Sequence, residues 1–176
     1  MESIVYIAQS IDGFIADQNG GVEWLNAIPN PSGHDYGFGT FISSIDAVVM
    51  GRNTFKKVAT FESWPYTKPV FVVSRSLTQL PSQYDGKARL LSMGPKEIMR
   101  HLEALDMGRL YIDGGSLIQS FLKASLIDQL IITTVPIILG EGIPLFSDHG
   151  QQSHWRLANS EILNNALVKT TYIRVS

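Results

Sequence analysis

The sequence predicts an α/β domain in which a buried, mostly parallel sheet carries helices and ends in an antiparallel hairpin. Short apolar runs rich in β-branched residues recur along the chain, and helical patterns fill the gaps between them. The last stretch breaks that alternation, with two strand-like runs around a turn-prone pair.

Residues 3–8, 46–50, 69–74, 88–91, 109–112 and 129–135 read as strands. Several are apolar on both faces, as a parallel sheet covered by helices requires. Residues 95–105 give the clearest helical pattern, with Pro95 suited to the first turn and Ile98, Met99, Leu102 and Leu105 on one stripe. Residues 116–126 repeat it with Leu117, Ile118, Phe121 and Leu122, and residues 38–44 and 53–58 predict shorter helices. Such alternation implies crossover connections. Residues 155–161 and 166–175 flank Asn164-Asn165, a pair that suits a tight turn. Residues 20–39, rich in Gly, Pro and Asn, follow the first strand, where an active-site loop belongs. No repeat or long linker divides the chain, so one domain is expected over residues 1–176.

The 176 residues suffice for a sizeable core, and 44% hydrophobic against 17% charged residues is a globular balance. A net charge of −2 with scattered basic residues leaves no footprint for a nucleic-acid backbone, whereas a few local charges suffice for a small anion. With no cysteine, disulfides, thiolate metal sites and a cysteine nucleophile are excluded. His34, His101, His149 and His154 lack metal-ligand spacing, so no metal is expected. An acid follows Met1 where a signal peptide carries basic residues. No apolar run approaches the roughly 20 residues that span a bilayer. The expectation is a soluble, cytoplasmic protein without a membrane partner.

Three segments suit a phosphate ligand. In Met50-Gly51-Arg52-Asn53-Thr54-Phe55 a buried strand runs into glycine and a helix start. Glycine permits close backbone approach, a new helix offers free N–H groups, and Arg52 adds a planar charged fork. A strand–turn–helix junction with a solvated arginine is the competing reading. The run from Val70 ends in Ser74-Arg75, which would set Arg52 and Arg75 on one rim if the two strands are neighbours. Taken by itself, Arg75 is more simply explained as the start of an ordinary surface loop. In Asp113-Gly114-Gly115-Ser116-Leu117 paired glycines join strand to helix, as a pyrophosphate site or as a tight turn. The G-x-G-x-x-G fingerprint is absent, and so is an intact nucleophile elbow, because position 118 is Ile. Residues 136–146 read as a structural loop, and Asp35, between the Gly-rich loop and a short helix, is either a pocket carboxylate or a solvated one.

The order of these segments resembles the dihydrofolate reductase superfamily over nearly the whole chain. It is carried by Ile7-Ala8-Gln9-Ser10-Ile11-Asp12-Gly13-Phe14-Ile15-Ala16, Met50-Gly51-Arg52-Asn53-Thr54-Phe55, Ser74-Arg75 and Asp113-Gly114-Gly115. The stretch Leu139-Gly140-Glu141-Gly142-Ile143-Pro144-Leu145-Phe146 looks most like the reductase domain of riboflavin biosynthesis, the RibD C-terminal type. The resemblance implies a three-layer fold with an eight-stranded sheet, a C-terminal antiparallel hairpin, a homodimer, and NADPH across the sheet's carboxyl edge. Ala8 and Ile15 would border the nicotinamide. Gly51, Arg52, Asn53 and Thr54 would hold phosphates, Ser74 and Arg75 the 2′-phosphate end. Gly114, Gly115, Ser116 and Leu117, with Ile112 beside them, would cradle the pyrophosphate. Trp24, Asp35, Phe38 and Thr133 would border the substrate, with Asp35 as proton donor.

Two departures stand out. Glu23-Trp24 replaces a Pro-Trp pair, and Lys68 stands where an arginine grips the folate tail. The implied activity is hydride transfer from NADPH to a pteridine, or to the ribosylaminopyrimidine of riboflavin synthesis. A non-catalytic NADP(H)-binding protein on the same fold is the alternative.

Overall fold

The computed structural model describes residues 1–147 and 152–175. In chain order the elements are β1 (Glu2–Ser10), β2 (Phe14–Ala16), α1 (Phe38–Ser44), β3 (Ala47–Gly51), α2 (Arg52–Val58), β4 (Val70–Val73) and β5 (Ala88–Leu91). They continue as α3 (Pro95–Glu103), β6 (Arg109–Asp113), α4 (Gly115–Lys123), β7 (Gln129–Val135), β8 (Ile143–Pro144), β9 (Trp155–Leu163) and β10 (Leu167–Arg174).

One eight-stranded sheet runs in the order β5-β4-β3-β6-β1-β7-β10-β9. The strands from β5 to β7 in that order are parallel, β10 is antiparallel to β7, and β9 is antiparallel to β10. This is the expected three-layer α/β fold. Successive strand residues face opposite layers. Val5, Val49 and Ile112 therefore join Ile98, Leu102, Leu117, Ile118 and Phe121 of α3 and α4 in one core. Ile4, Val48, Met50 and Tyr111 join Phe41, Ile42 and Phe55 of α1 and α2 in the other. Both faces of β3 are covered, so Ala47, Val48, Val49 and Met50 are all buried.

The hairpin turns as its sequence demands. Asn164 and Asn165 take φ of 50° and 51°, and the Ala166 N–H closes on the Leu163 carbonyl at 3.1 Å. Two successive left-handed residues make the tight turn whose twist matches the flanking strands.

Two expectations need correction. α3 and α4 stop at Glu103 and Lys123, short of the predicted ends. Asp106 and Ser125 adopt left-handed backbone there, and the N–H groups of Met107 and Leu126 bond back to Leu102 and Phe121. Such a closure ends a helix and turns the chain toward the next strand. Leu105, assigned to the α3 stripe, is therefore 41% exposed. The second correction concerns β2 and β8, which form a small antiparallel ribbon that no alternating pattern announced. Among the described residues no helix is long and apolar enough to cross a membrane.

Candidate active site at the carboxyl edge of the sheet

Parallel strands deliver the loops that leave their carboxyl ends to one edge of a sheet. β3 and β4 are neighbours, with Gly51 beside Val73, and β6 flanks β3 with Asp113 beside Met50. The three phosphate-suited segments consequently meet at one rim. Two contacts measure how closely. Gly114 has φ +94°, and a Cβ placed there would lie 2.2 Å from Thr54 Oγ1 and 3.6 Å from the Gly51 nitrogen. The Arg52 guanidinium donates to Ser76 Oγ at 2.5 Å, joining the segment after β3 to the segment after β4.

Within that rim the predicted residues divide by environment. α4 opens with the Gly114 carbonyl accepting from the Ile118 N–H at 2.9 Å. The N–H groups of Gly115, Ser116 and Leu117 precede the helical ladder and sit at the helix's positive end. α2 has only seven residues, so its contribution is the Arg52 charge rather than a dipole. Arg75 is exposed beside the buried Ser74, whose hydroxyl accepts the Ser76 and Leu77 N–H groups at 3.2 and 3.1 Å and so shapes the turn. Asn53 and Ser116 are exposed. The Ile112 side chain is wholly buried in the core, so it supports the rim from beneath rather than facing it. The β2–β8 ribbon lies over the start of α4: Ile15 Cδ1 and Ile143 Cγ2 are 2.8 and 3.4 Å from where a Gly115 Cβ would be.

On the α1 face the wall is aromatic. Tyr6 stacks on Phe41 at 4.6 Å and meets Phe38 edge-on at 5.7 Å, and Tyr111 meets Phe41 edge-on at 5.1 Å. The Tyr111 hydroxyl donates to the Tyr6 carbonyl and the Tyr6 hydroxyl to the Tyr36 carbonyl, both at 3.0 Å. Thr133 is buried in register between Ala8 and Lys169, placing Ala8 and Thr133 on this same face. Trp24 lies in a short 3-10 turn, and its indole N–H is buried with no partner among the described residues. A buried donor left unsatisfied is costly.

Asp35 and Asp113 differ in environment. Asp35 is exposed at the entrance to α1 and accepts the Gly37 and Gly39 N–H groups, each at 2.9 Å. Those two donors hold its carboxyl below the usual range. In the sequence Asp113 stands only as the opening residue of a glycine motif. Burial pushes its carboxyl up to about 6, against the opposing pull of the Gly114 N–H and the Tyr111 hydroxyl. Burial, with the Asp113 charge nearby, also raises Tyr66 and Tyr111. The available signal was an acid closing a covered strand. Of the histidines, His101 is exposed on α3, and His149 lies outside the described residues.

Known proteins share this architecture. The chain is 31% identical to the Bacillus subtilis (strain 168) protein YwjB over 176 residues, covering 98% of both chains. A Shewanella sp. PV-4 structure whose name refers it to riboflavin biosynthesis is 44% identical, with a TM-score of 0.97 and full coverage of both chains. The fold also matches a Thermotoga maritima diaminohydroxyphosphoribosylaminopyrimidine deaminase/5-amino-6-(5-phosphoribosylamino)uracil reductase at TM-score 0.77 and 16% identity, covering 99% of this chain and 56% of that one. It matches an Enterococcus faecalis dihydrofolate reductase at TM-score 0.71 and 16% identity, covering 99% and 97%. The family model described as the RibD C-terminal domain matches residues 3–169. By that match, on a reductase-type fold, the chain belongs to the RibD C-terminal domain family.

Proposed function

We propose that the protein is an NADPH-dependent reductase acting on an electron-poor C=N or C=O carbon of a small heterocycle or sugar, of the dihydrofolate or ribosylaminopyrimidine kind. One observation carries the reading: Thr54, Gly114 and the Arg52–Ser76 pair draw three loop segments onto one rim. The residues there fit a dinucleotide. The N–H groups of Gly115, Ser116 and Leu117 suit a pyrophosphate, and Arg52 with Arg75 provides charge for the phosphate that distinguishes NADP from NAD. The Enterococcus faecalis neighbour was complexed with NADP(H) on this fold.

NADPH, when bound, supplies the hydride. Asp35, kept anionic by its two N–H donors, binds and orients a donor group of the substrate, and a water on it is one route for the proton. Asp113, at about 6, keeps a minor protonated fraction near neutral pH and is the second candidate source. The unpaired indole N–H of Trp24 offers a donor to the substrate side. We further read the protein as a cytoplasmic homodimer, and sedimentation velocity tests that assembly.

The decisive measurement is calorimetric and thermal titration with NADPH and NADH. NADPH raises the melting midpoint by mass action and NADH does so less. Arg75→Ala and Arg52→Ala each weaken NADPH by about tenfold or more and narrow that preference. If neither nucleotide gives heat or stabilisation, the reading is wrong. Stoichiometric binding without oxidation by any pteridine, pyrimidine or quinone would leave a non-catalytic binding protein.

A further inference from the structure

We propose that Asp12 is a positioning residue for the cofactor rim: its carboxylate latches the β2–β8 ribbon over the start of α4. The inference rests on the cofactor reading above.

Asp12 stands in the turn between β1 and β2. Its Oδ1 accepts the Ser10 hydroxyl at 2.6 Å and the Leu139 N–H at 3.1 Å, and its Oδ2 accepts the Gly140 N–H at 2.7 Å. The buried Ser10 hydroxyl in turn accepts the Phe14 N–H at 2.9 Å, at the first residue of β2. One side chain thus ties two segments far apart in sequence. Backbone bonds brace the same seam: Ile11 N–H to the Ile137 carbonyl at 2.8 Å and Leu145 N–H to the Gly13 carbonyl at 2.9 Å. Gly142 closes it further on, where a Cβ would fall 2.3 Å from the Ala16 carbonyl oxygen.

What the latch holds is functionally placed. Ile15 and Ile143, one from each strand of the ribbon, cover Gly115, and the Gln119 amide on α4 donates to the Pro144 carbonyl at 2.9 Å. The ribbon therefore packs on the first residue of the helix whose N–H groups are assigned to the pyrophosphate. A ribbon pinned there by the Asp12 carboxylate together with those backbone bonds sets how fast a bound dinucleotide leaves, in the way that loop closure governs release elsewhere. Asn at position 12 keeps an acceptor for one side of the network but sets an NH₂ against the other, whereas Ala removes both.

The test compares wild type, Asp12→Asn, Asp12→Ala and Gly142→Ala in the full chain. Amide hydrogen exchange is read at residues 14–16 and 143–145, and NADPH release by stopped-flow fluorescence. Exchange there and release both accelerate several-fold, Ala at position 12 exceeding Asn. Gly142→Ala reproduces the effect, and the double variant Asp12→Ala/Gly142→Ala adds little to either single change, because both open one seam. A merely destabilised core would lower the melting midpoint without changing release. Wild-type release and exchange rates in folded Asp12→Ala protein would overturn the latch. Wild-type protein that fails to bind NADPH would sink the cofactor reading instead, leaving the exchange arm to judge the seam alone.

Discussion

The β6–α4 junction and the entrance to α1 carry the two carboxylates proposed for the chemistry but are built on opposite terms. At the junction, Gly114 is pressed against Thr54 and Gly51 with no space for a methyl group, and Asp113 is a carboxyl taken partly out of water. At the entrance, Asp35 is exposed and both of its oxygens are used by N–H groups of its own turn. The loop around it is held by polar ties: the Tyr6 hydroxyl and Lys169 ammonium on the Tyr36 carbonyl, Asn164 on the Pro29 carbonyl, and the Lys57–Glu23 ion pair. Packing holds one side and hydrogen bonds the other. The first resists change and stores a perturbed acid. The second keeps an exposed anion, held below the usual range by its own turn.

Three substitutions sharpen that contrast, ordered by expected effect on stability. Gly114→Ala combines a left-handed φ with a clash against Thr54, and should cost about 3 kcal/mol by denaturant unfolding and abolish NADPH stabilisation. Little loss there would mean that the junction is looser than its geometry.

Asp113→Asn comes next and has the opposite sign. The folded carboxyl titrates at about 6 against an ordinary value of 3.8, so the native state binds the proton more tightly. Stability is then fullest below pH 4 and falls as pH rises toward 6. A neutral isostere removes that slope and should raise stability by about 2 kcal/mol at pH 8 while lowering turnover. Unfolding followed from pH 4 to 8 checks it, and a wild-type curve without the decline would contradict the buried acid.

Asp35→Asn should barely move the melting midpoint, because the group is exposed, yet lower kcat/KM by about a hundredfold on an identified substrate. Its carboxyl lies below the ordinary range, so whatever the charge adds to stability persists above that range and is lost only as pH falls through the lowered value. Unchanged turnover across pH would remove Asp35 from the chemistry.

The junction was legible in sequence because its constraints are local. A covered strand, paired glycines and an apolar helix stripe follow one another in Leu110 to Leu122, and each states its own geometry. The Asn164-Asn165 turn was legible for the same reason. The neighbouring of Arg52 and Arg75 needed strand order, which the alternation left open and the β3–β4 pairing supplies. Least readable were features fixed by distant partners. Nothing local in Phe14-Ile15-Ala16 or Ile143-Pro144 marks a ribbon, since those segments find each other only through the turn at Asp12 and the seam around Gly142. The raised Asp113 escaped likewise, because desolvation depends on what the rest of the chain lays over it.

The placement of β1 bears on how the protein folds. β1 lies between β6 and β7 in the sheet, with Ile4 beside both Tyr111 and Gln129. Both partners lie far along the chain from it, so β1 stays unpaired on both edges until the chain closes long loops. Such non-local pairing slows folding and leaves apolar strand edges exposed meanwhile, a cost that falls on the strand at the centre of the sheet.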